Sequence, residues 1–261
     1  MTGPFTLLTW NINGIRARLD GVLTYLSERE PDIVCLQETK CEDKQFPKVP
    51  FMELGYQVHA HGGKGYAGVV ALTKEKPDEV VRGFREGEPD QASRIVNVKI
   101  GGVRVYGLYV PNGTALGTEA FAYKLAWLAR LRDELVKHRV AGEEVLLCGD
   151  FNIAPDARDV VDPASLVGRT HFSPEEHAAL RSLLEFGLRD CFRKFNEQPG
   201  QFTWFDYRAG ALRKNEGMRI DHVYATAGLY DRCEAVVHDI EPREGDAPSD
   251  HLPVLARFGG A

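Results

Sequence analysis

Residues 94–110 read RIVNVKIGGVRVYGLYV. Two β-branched runs, Arg94–Ile100 and Val103–Val110, flank the pair Gly101-Gly102. The two-residue turns whose twist suits a hairpin need positive φ, which glycine adopts without steric cost. The runs are therefore expected to be neighbouring antiparallel strands. A hairpin leaves no room for a helical crossover, so the fold is not a simple alternation of strand and helix.

On either side the chain shows further strand-like runs. Upstream lie Phe5–Asn11, Asp32–Glu38 (DIVCLQE) and Tyr66–Thr73, the last preceded by the flexible loop His61–Gly65. Downstream lie Glu144–Asp150 (EVLLCGD), Phe202–Tyr207, Ile220–Ala225 and Pro253–Phe258. Helices are fewer. Ile15–Glu30 carries Val22, Leu23 and Leu26 on one face and stops at Pro31. Glu119–Arg139 places Phe121, Leu125, Leu128, Leu131 and Leu135 on an apolar stripe. Ser173-Pro174-Glu175-Glu176 is a capping box that opens a helix to about Phe186, before Gly187. Three or four helices are too few for a βαβ series. The pattern predicts an α/β fold of two mainly antiparallel sheets packed face to face, with helices outside. In such a sandwich, polar residues at strand ends gather on one rim.

The chain has 261 residues, 43% hydrophobic and 27% charged, enough for one large core. No linker-like tract divides it, so residues 1–261 are expected to form a single domain. No apolar stretch approaches the roughly 18 residues of a membrane span. The N-terminal run lacks a basic leader, so no signal peptide is expected. Five cysteines, Cys35, Cys41, Cys148, Cys191 and Cys233, include no C-x-x-C pair. Free thiols in a reducing cytoplasm are the expectation, and a zinc site is not. The net charge of −6 argues mildly against a nucleic-acid partner. The objection is weak for a metal enzyme, whose carboxylates gather at one spot while basic residues line a groove elsewhere.

Five fragments carry the chemistry: Asn11-Ile12-Asn13-Gly14, Leu36-Gln37-Glu38-Thr39-Lys40, Gly149-Asp150-Phe151-Asn152, Arg219-Ile220-Asp221-His222 and Ser249-Asp250-His251. Each lies beside the end of an apolar run. Cutting a phosphodiester requires neutralising the phosphate, aiming an activated water and stabilising the leaving oxygen. Hard oxygen donors suit Mg²⁺. Glu38 is the best single metal ligand, with support from the Asn11 amide oxygen and from Asp250. Asp150 and Asn152 point the same way if the strand continues through them. Asp150 is placed to take a proton from water, and Asn152 to hold that water or a phosphate oxygen. Asp221 and His251 form a natural dyad in which the carboxylate fixes the imidazole tautomer. Each fragment also has a plainer explanation. Gly-Asp-x-Asn suits an Asx turn, Ser-Asp-His a capped loop, Glu38-Thr39-Lys40 a solvated strand end, and Arg219 with Asp221 a surface ion pair. Their joint occurrence in one order favours a single site.

The strings NINGIRAR, PDIVCLQETK, GYAGVVALTK, YVPNG, GDFNIAP, GLRDCFR, FTWFDYR, RIDH and PSDHLPV, spread over nearly the whole chain, closely resemble the exonuclease III family of apurinic/apyrimidinic (AP) endonucleases. That family lies within the endonuclease/exonuclease/phosphatase superfamily. The resemblance implies a four-layer α/β sandwich. It also implies Mg²⁺ or Mn²⁺ at Glu38, with Asn11 close by. Taken with the reading of the fragments, one or two ions are expected, among the candidate ligands Asn11, Glu38, Asp150, Asn152, Asp250 and His251. Asp150 and His251 are implied as the acid/base pair, Asn152 as the group positioning water, and Asp221 as the group orienting His251. Tyr109 is implied to contact the scissile phosphate. For DNA it implies Arg16 on the backbone and Trp204, with Met218 and Ile220, around a flipped-out abasic sugar. Met218 stands where some relatives have tryptophan, and Asn13 where some have a second acidic residue.

The expected activity is hydrolysis of duplex DNA 5′ of abasic sites and degradation from 3′ ends, by an enzyme acting in the cytoplasm on nucleoid DNA without an obligate protein partner. A superfamily phosphatase acting on inositol phosphates or sphingomyelin would share the catalytic core without needing FTWFDYR or Arg16. A non-catalytic DNA-binding protein would have no physical need for Glu38, Asp150, Asn152, Asp221 and His251 together.

Overall fold

The computed structural model describes residues 1, 3–63, 65, 67–89 and 92–260. Its strands are β1 (Phe5–Asn11), β2 (Ile33–Gln37), β3 (Gln57–His61), β4 (Val69–Thr73), β5 (Glu79–Arg82), β6 (Ile95–Ile100) and β7 (Val103–Tyr109). There follow β8 (Glu144–Asp150), β9 (Arg189–Asp190), β10 (Trp204–Phe205), β11 (Gly217–Met218), β12 (Asp221–Ala225), β13 (Cys233–His238) and β14 (Val254–Phe258). The helices are α1 (Ile15–Arg29), α2 (Lys48–Glu53), α3 (Glu119–Lys137), α4 (Pro174–Leu184), α5 (Ala211–Lys214) and α6 (Ala227–Arg232).

Two six-stranded sheets form, in the orders β13-β14-β1-β2-β4-β3 and β5-β6-β7-β8-β12-β9. Each is antiparallel except at its centre, where β1 runs parallel to β2 and β7 to β8. The β6–β7 hairpin turns on Gly101 (φ 52) and Gly102 (φ 83), the left-handed pair its sequence calls for. The central strands are buried on both faces, as their unbroken apolar runs require. Leu7, Cys35, Ala71, Val98, Val105, Cys148 and Val223 pack between the sheets. Their neighbours Leu8, Val34, Leu36 and Leu72 face α1 and α2. On the opposite side Tyr106, Leu108, Val145 and Leu147 face α3 and α4. The four layers are therefore helix, sheet, sheet and helix. All five cysteines are free and buried. No helix among the described residues is long and apolar enough to cross a membrane.

Several expectations need correction. Among the described residues six α-helices form, not three or four, although α2, α5 and α6 are single turns or little more. On α3 the half-buried Leu125 does not belong to the core stripe; Lys124 and Trp127 are buried there. The strand sought over Phe202–Tyr207 shortens to Trp204–Phe205, because its partner is only the two-residue β11. Part of the expected strand over Tyr66–Thr73 lies outside the described residues, since Tyr66 is among those not described; the strand itself runs Val69–Thr73.

Candidate active site

The parallel pairs decide where the site lies. Parallel strands end on the same rim, so Asn11 at the end of β1 sits beside Gln37 at the end of β2, one residue before Glu38. Likewise Tyr109 at the end of β7 pairs with Asp150 at the end of β8. Antiparallel strands must start where these end, and the first residue of β12, Asp221, pairs with Asp150. The segment leading into β14 brings His251 to the same rim, bridging to Trp204.

The turns off the strands are conformationally demanding. Glu38 and Asn152 both take left-handed backbone conformations, each with φ 52, which is uncommon outside glycine. β8 ends at Asp150, so the strand does not continue through Asn152 as the two-residue spacing would have it. The Asn152 side chain still turns back: its Nδ2 donates to Val110 O at 3.0 Å and to Asp150 Oδ2 at 3.3 Å. Gly149 has φ 144, and a Cβ there would lie 2.0 Å from Leu108 O, so only glycine lets β8 approach β7 this closely.

One donor atom each from Glu38, Asp150 and His251 lies within 4.8 Å of the others. Asn11 Nδ2 bridges the carboxylates, donating to Glu38 Oε1 at 2.8 Å and Asp150 Oδ2 at 2.9 Å. The Asn11 amide oxygen accepts from Asn13 N at 3.0 Å, so the atom expected to support a metal faces away from the carboxylates. Lys40 Nζ lies 2.9 Å from Glu38 Oε2. Two convergent carboxylates, one buried and one half-buried, offer hard oxygen donors that suit a divalent cation, with the His251 imidazole beside them.

His251 Nδ1 faces Asp221 Oδ2 at 2.9 Å, and its Nε2 faces Asp150 Oδ2 at 3.8 Å. Burial disfavours charge on His251, but the carboxylates of Asp221 and Asp150 outweigh it and push the imidazole up to about 10. Burial, with the charges of Asp221 and Glu38, pushes Asp150 up to about 7, against the opposing pull of His251. Burial, then the charges of Glu38 and Asp150 and a hydrogen bond to Glu38, also raise the Tyr109 phenol, which stays neutral. Arg94 lies over the Tyr109 ring at 4.7 Å.

Asp250 takes a different position from Glu38, Asp150 and His251. Its Oδ2 accepts from Trp204 Nε1 at 3.0 Å and its Oδ1 from Asn13 Nδ2 at 2.9 Å. Trp204 and Met218 are half-buried and pair across β10 and β11, packing with Leu166 and Phe172 over a floor of Ala154, Val160 and Ile220. An apolar wall thus stands next to the charged cluster. Arg16 is exposed on the first turn of α1 and donates to Gln45 Oε1 at 2.6 Å, outside this constellation. Arg219 is not a surface ion pair with Asp221. It is buried against Asp159 (Nε–Oδ1 2.6 Å) and Asp190 (Nη2–Oδ2 2.8 Å).

A model of the endonuclease/exonuclease/phosphatase family matches residues 8–251. The chain belongs to that family. It is 35% identical to the exodeoxyribonuclease III of Haemophilus influenzae over 263 residues, covering 96% of this chain and 98% of that one. Among solved structures, an AP endonuclease from Archaeoglobus fulgidus matches with a TM-score of 0.92 at 37% identity, over 97% of this chain and 99% of the other. The 3′ phosphatase NExo from Neisseria, solved with a product DNA hairpin, matches with a TM-score of 0.94 at 33% identity, over the same shares.

Sequence reasoning passes over several residues that complete the site. Asn112 Nδ2 donates to Asn152 Oδ1 at 3.2 Å, and His171 Nδ1 lies 2.7 Å from Asn152 O. Thr203 Oγ1 accepts from Ile220 N and Asp221 N at 3.0 and 3.1 Å, fixing the start of β12. Asn112 and Thr203 sit inside the strings YVPNG and FTWFDYR, which carried a signal. His171 sits in a loop with no periodicity and carried none.

Proposed function

We infer that the protein is a DNA-repair nuclease: a metal-dependent phosphodiesterase that cuts duplex DNA 5′ of abasic sites and removes nucleotides from 3′ ends. The observation that carries this reading is the convergence of Glu38, Asp150 and the His251–Asp221 dyad beside the apolar wall of Trp204 and Met218. Charged groups of this kind suit a phosphodiester, and the adjoining wall suits a sugar that has lost its base.

Glu38 and Asp150 are the residues to hold Mg²⁺ or Mn²⁺, one ion or two, with the Asn11 and Asn152 amides and the Asp250 carboxylate nearby and the cationic His251 facing the phosphate. A divalent cation bound there neutralises phosphate charge and lowers the pKa of a bound water. Asp150, poised near neutrality, accepts the proton of the attacking water. The Asn152 amide holds that water or a phosphate oxygen. Asp221 orients the His251 ring and keeps it cationic, so Nε2 donates to a phosphate oxygen and stabilises the charge that builds there. The neutral Tyr109 hydroxyl donates to the same phosphate. Trp204, Met218 and Ile220 shape the sugar pocket, and Arg16 meets the phosphate backbone further along the duplex. No obligate protein partner enters this chemistry.

The test is cleavage of a duplex bearing one abasic analogue, with and without EDTA, beside Glu38→Ala and His251→Ala variants. Incision 5′ of the analogue that stops with EDTA, and falls by several orders of magnitude in His251→Ala, is expected, since acid/base and electrostatic contributions are each about 10²–10⁴-fold. Cutting unaffected by EDTA would refute the metal-dependent reading.

A further inference from the structure

Lys124 is the one lysine on the core side of α3, fully buried, with its counter-ion Glu176 fully buried on α4. Its ammonium makes three contacts: Asn152 O at 2.7 Å, Asn112 O at 3.2 Å, and a very short one to Glu176 Oε1. Glu176 is saturated in turn. Its oxygens accept from Thr170 Oγ1 at 2.8 Å, His171 N at 2.9 Å and Ser173 N at 3.0 Å. The approach is tight, for a Cβ on Gly113 would lie 2.9 Å from Lys124 Cδ.

A buried ion pair is weak evidence of stabilisation, because desolvating both charges offsets most of their attraction, and apolar pairs of like volume often serve as well. Stability alone therefore does not account for Lys124. Its two carbonyl partners do. They belong to Asn112 and Asn152, whose side-chain amides bond each other at 3.2 Å, and the Asn152 amide also reaches Asp150. Asn152 sits in the left-handed region, which asparagine tolerates better than most residues but which still leaves the direction of its side chain to be fixed by its surroundings. One buried ammonium thus ties together, from behind, the two loops that carry the Asn112 and Asn152 amides.

We propose that Lys124 is a positioning residue for phosphodiester hydrolysis: its ammonium, docked on the Asn152 and Asn112 carbonyls, sets the left-handed turn that aims the Asn152 amide at the reaction centre. This rests on the nuclease reading above. Lys124 touches neither DNA nor the acid/base groups, so its effect falls on the chemical step and not on duplex binding. Groups that orient a reacting residue from behind are typically worth about 10–100-fold in activity.

The experiment compares the intact chain with Lys124→Met, Glu176→Gln and the double variant Lys124→Met/Glu176→Gln. Each is assayed on a duplex with one abasic analogue at a temperature well below its melting point. Wild-type cleavage is measured first. If it is absent, the nuclease reading fails, and Lys124 is not what has been tested. Given wild-type activity, the double variant, which removes both charges together, is expected to lose ten- to a hundredfold in kcat with KM for the duplex within about threefold. Glu176→Gln keeps the lysine nitrogen on both carbonyls and is expected to hold kcat within about threefold. A folded double variant with wild-type kcat, or one changed in KM alone, overturns the proposal. Should neither Lys124 variant fold, Glu176→Gln decides: a tenfold loss of kcat there assigns the site to Glu176 and overturns the role of Lys124, and retained kcat supports it.

Discussion

Asp221 faces His251 with both carboxylate oxygens, 2.9 and 3.1 Å from Nδ1. The pair is buried, so the carboxylate acts in a low dielectric and holds the imidazole cationic through neutral pH. Asp221→Asn keeps the shape and removes the charge. It is expected to lower kcat by about 10²–10⁴-fold, as loss of an orienting carboxylate does elsewhere. The alkaline limb of the pH–rate profile should move to lower pH, because the imidazolium loses the partner that raised it. An unchanged alkaline limb in steady-state assays would show that another group sets it.

Glu38 and Asp150 meet at the bridging Asn11 amide, where two carboxylates and an imidazole converge. Mg²⁺ or Mn²⁺ should therefore stabilise EDTA-stripped protein by about 2.7 kcal/mol at a hundredfold excess over Kd, and so raise its melting temperature. Asp150 is pushed up to about 7, so cation binding should expel a proton near neutrality and strengthen as pH rises through that value. Calorimetry in two buffers of different ionisation enthalpy measures the proton. Glu38→Ala should abolish the melting shift; if the shift survives, the metal is held elsewhere.

The site was legible in the sequence to the extent that strands ended on charged residues. Asn11, Asp150 and Asp221 close or open buried runs whose apolar character is unmistakable. The edge strands were not. Gln57–His61, Glu79–Arg82 and Cys233–His238 mix polar residues with short apolar stretches and are only partly buried, so no long apolar run marks them. Lys124 was hidden for another reason. The stripe Phe121, Lys124, Leu128, Leu131 and Leu135 keeps a helical period, but a charged residue is not counted as core until its partner is known, and Glu176 lies 52 residues away. Leu125 took its place on hydrophobicity alone.

Met218 pairs with Trp204 across two short strands and packs in the wall beside the charged cluster. Met218→Ala widens the pocket without touching the Trp204–Asp250 hydrogen bond. Discrimination between an abasic site and an intact nucleotide should fall by about tenfold or more, the usual worth of a few apolar contacts. The measurement is the ratio of kcat/KM on an abasic-analogue duplex to that on an undamaged duplex. A ratio equal to wild type would place the selecting wall elsewhere.

His222, next to Asp221 but turned to the opposite face of β12, titrates for structural reasons alone. It is buried against Phe151 and Tyr224, and its Nε2 lies 2.9 Å from Ile153 O. Burial, then the charge of Arg219, pushes it down to about 4. An unfolded histidine titrates near 6.5. Between about 4 and 6.5 the unfolded chain binds the extra proton, so folding stability rises with pH across that window. The contribution is complete above about 6.5 and is lost as pH falls toward 4, costing about 2 kcal/mol between pH 7 and 5. Urea midpoints of the wild type should fall accordingly over that range. His222→Phe preserves the ring packing and removes the titration, so its midpoints should fall by correspondingly less. Equal slopes for the two proteins would assign the acid sensitivity to another buried group.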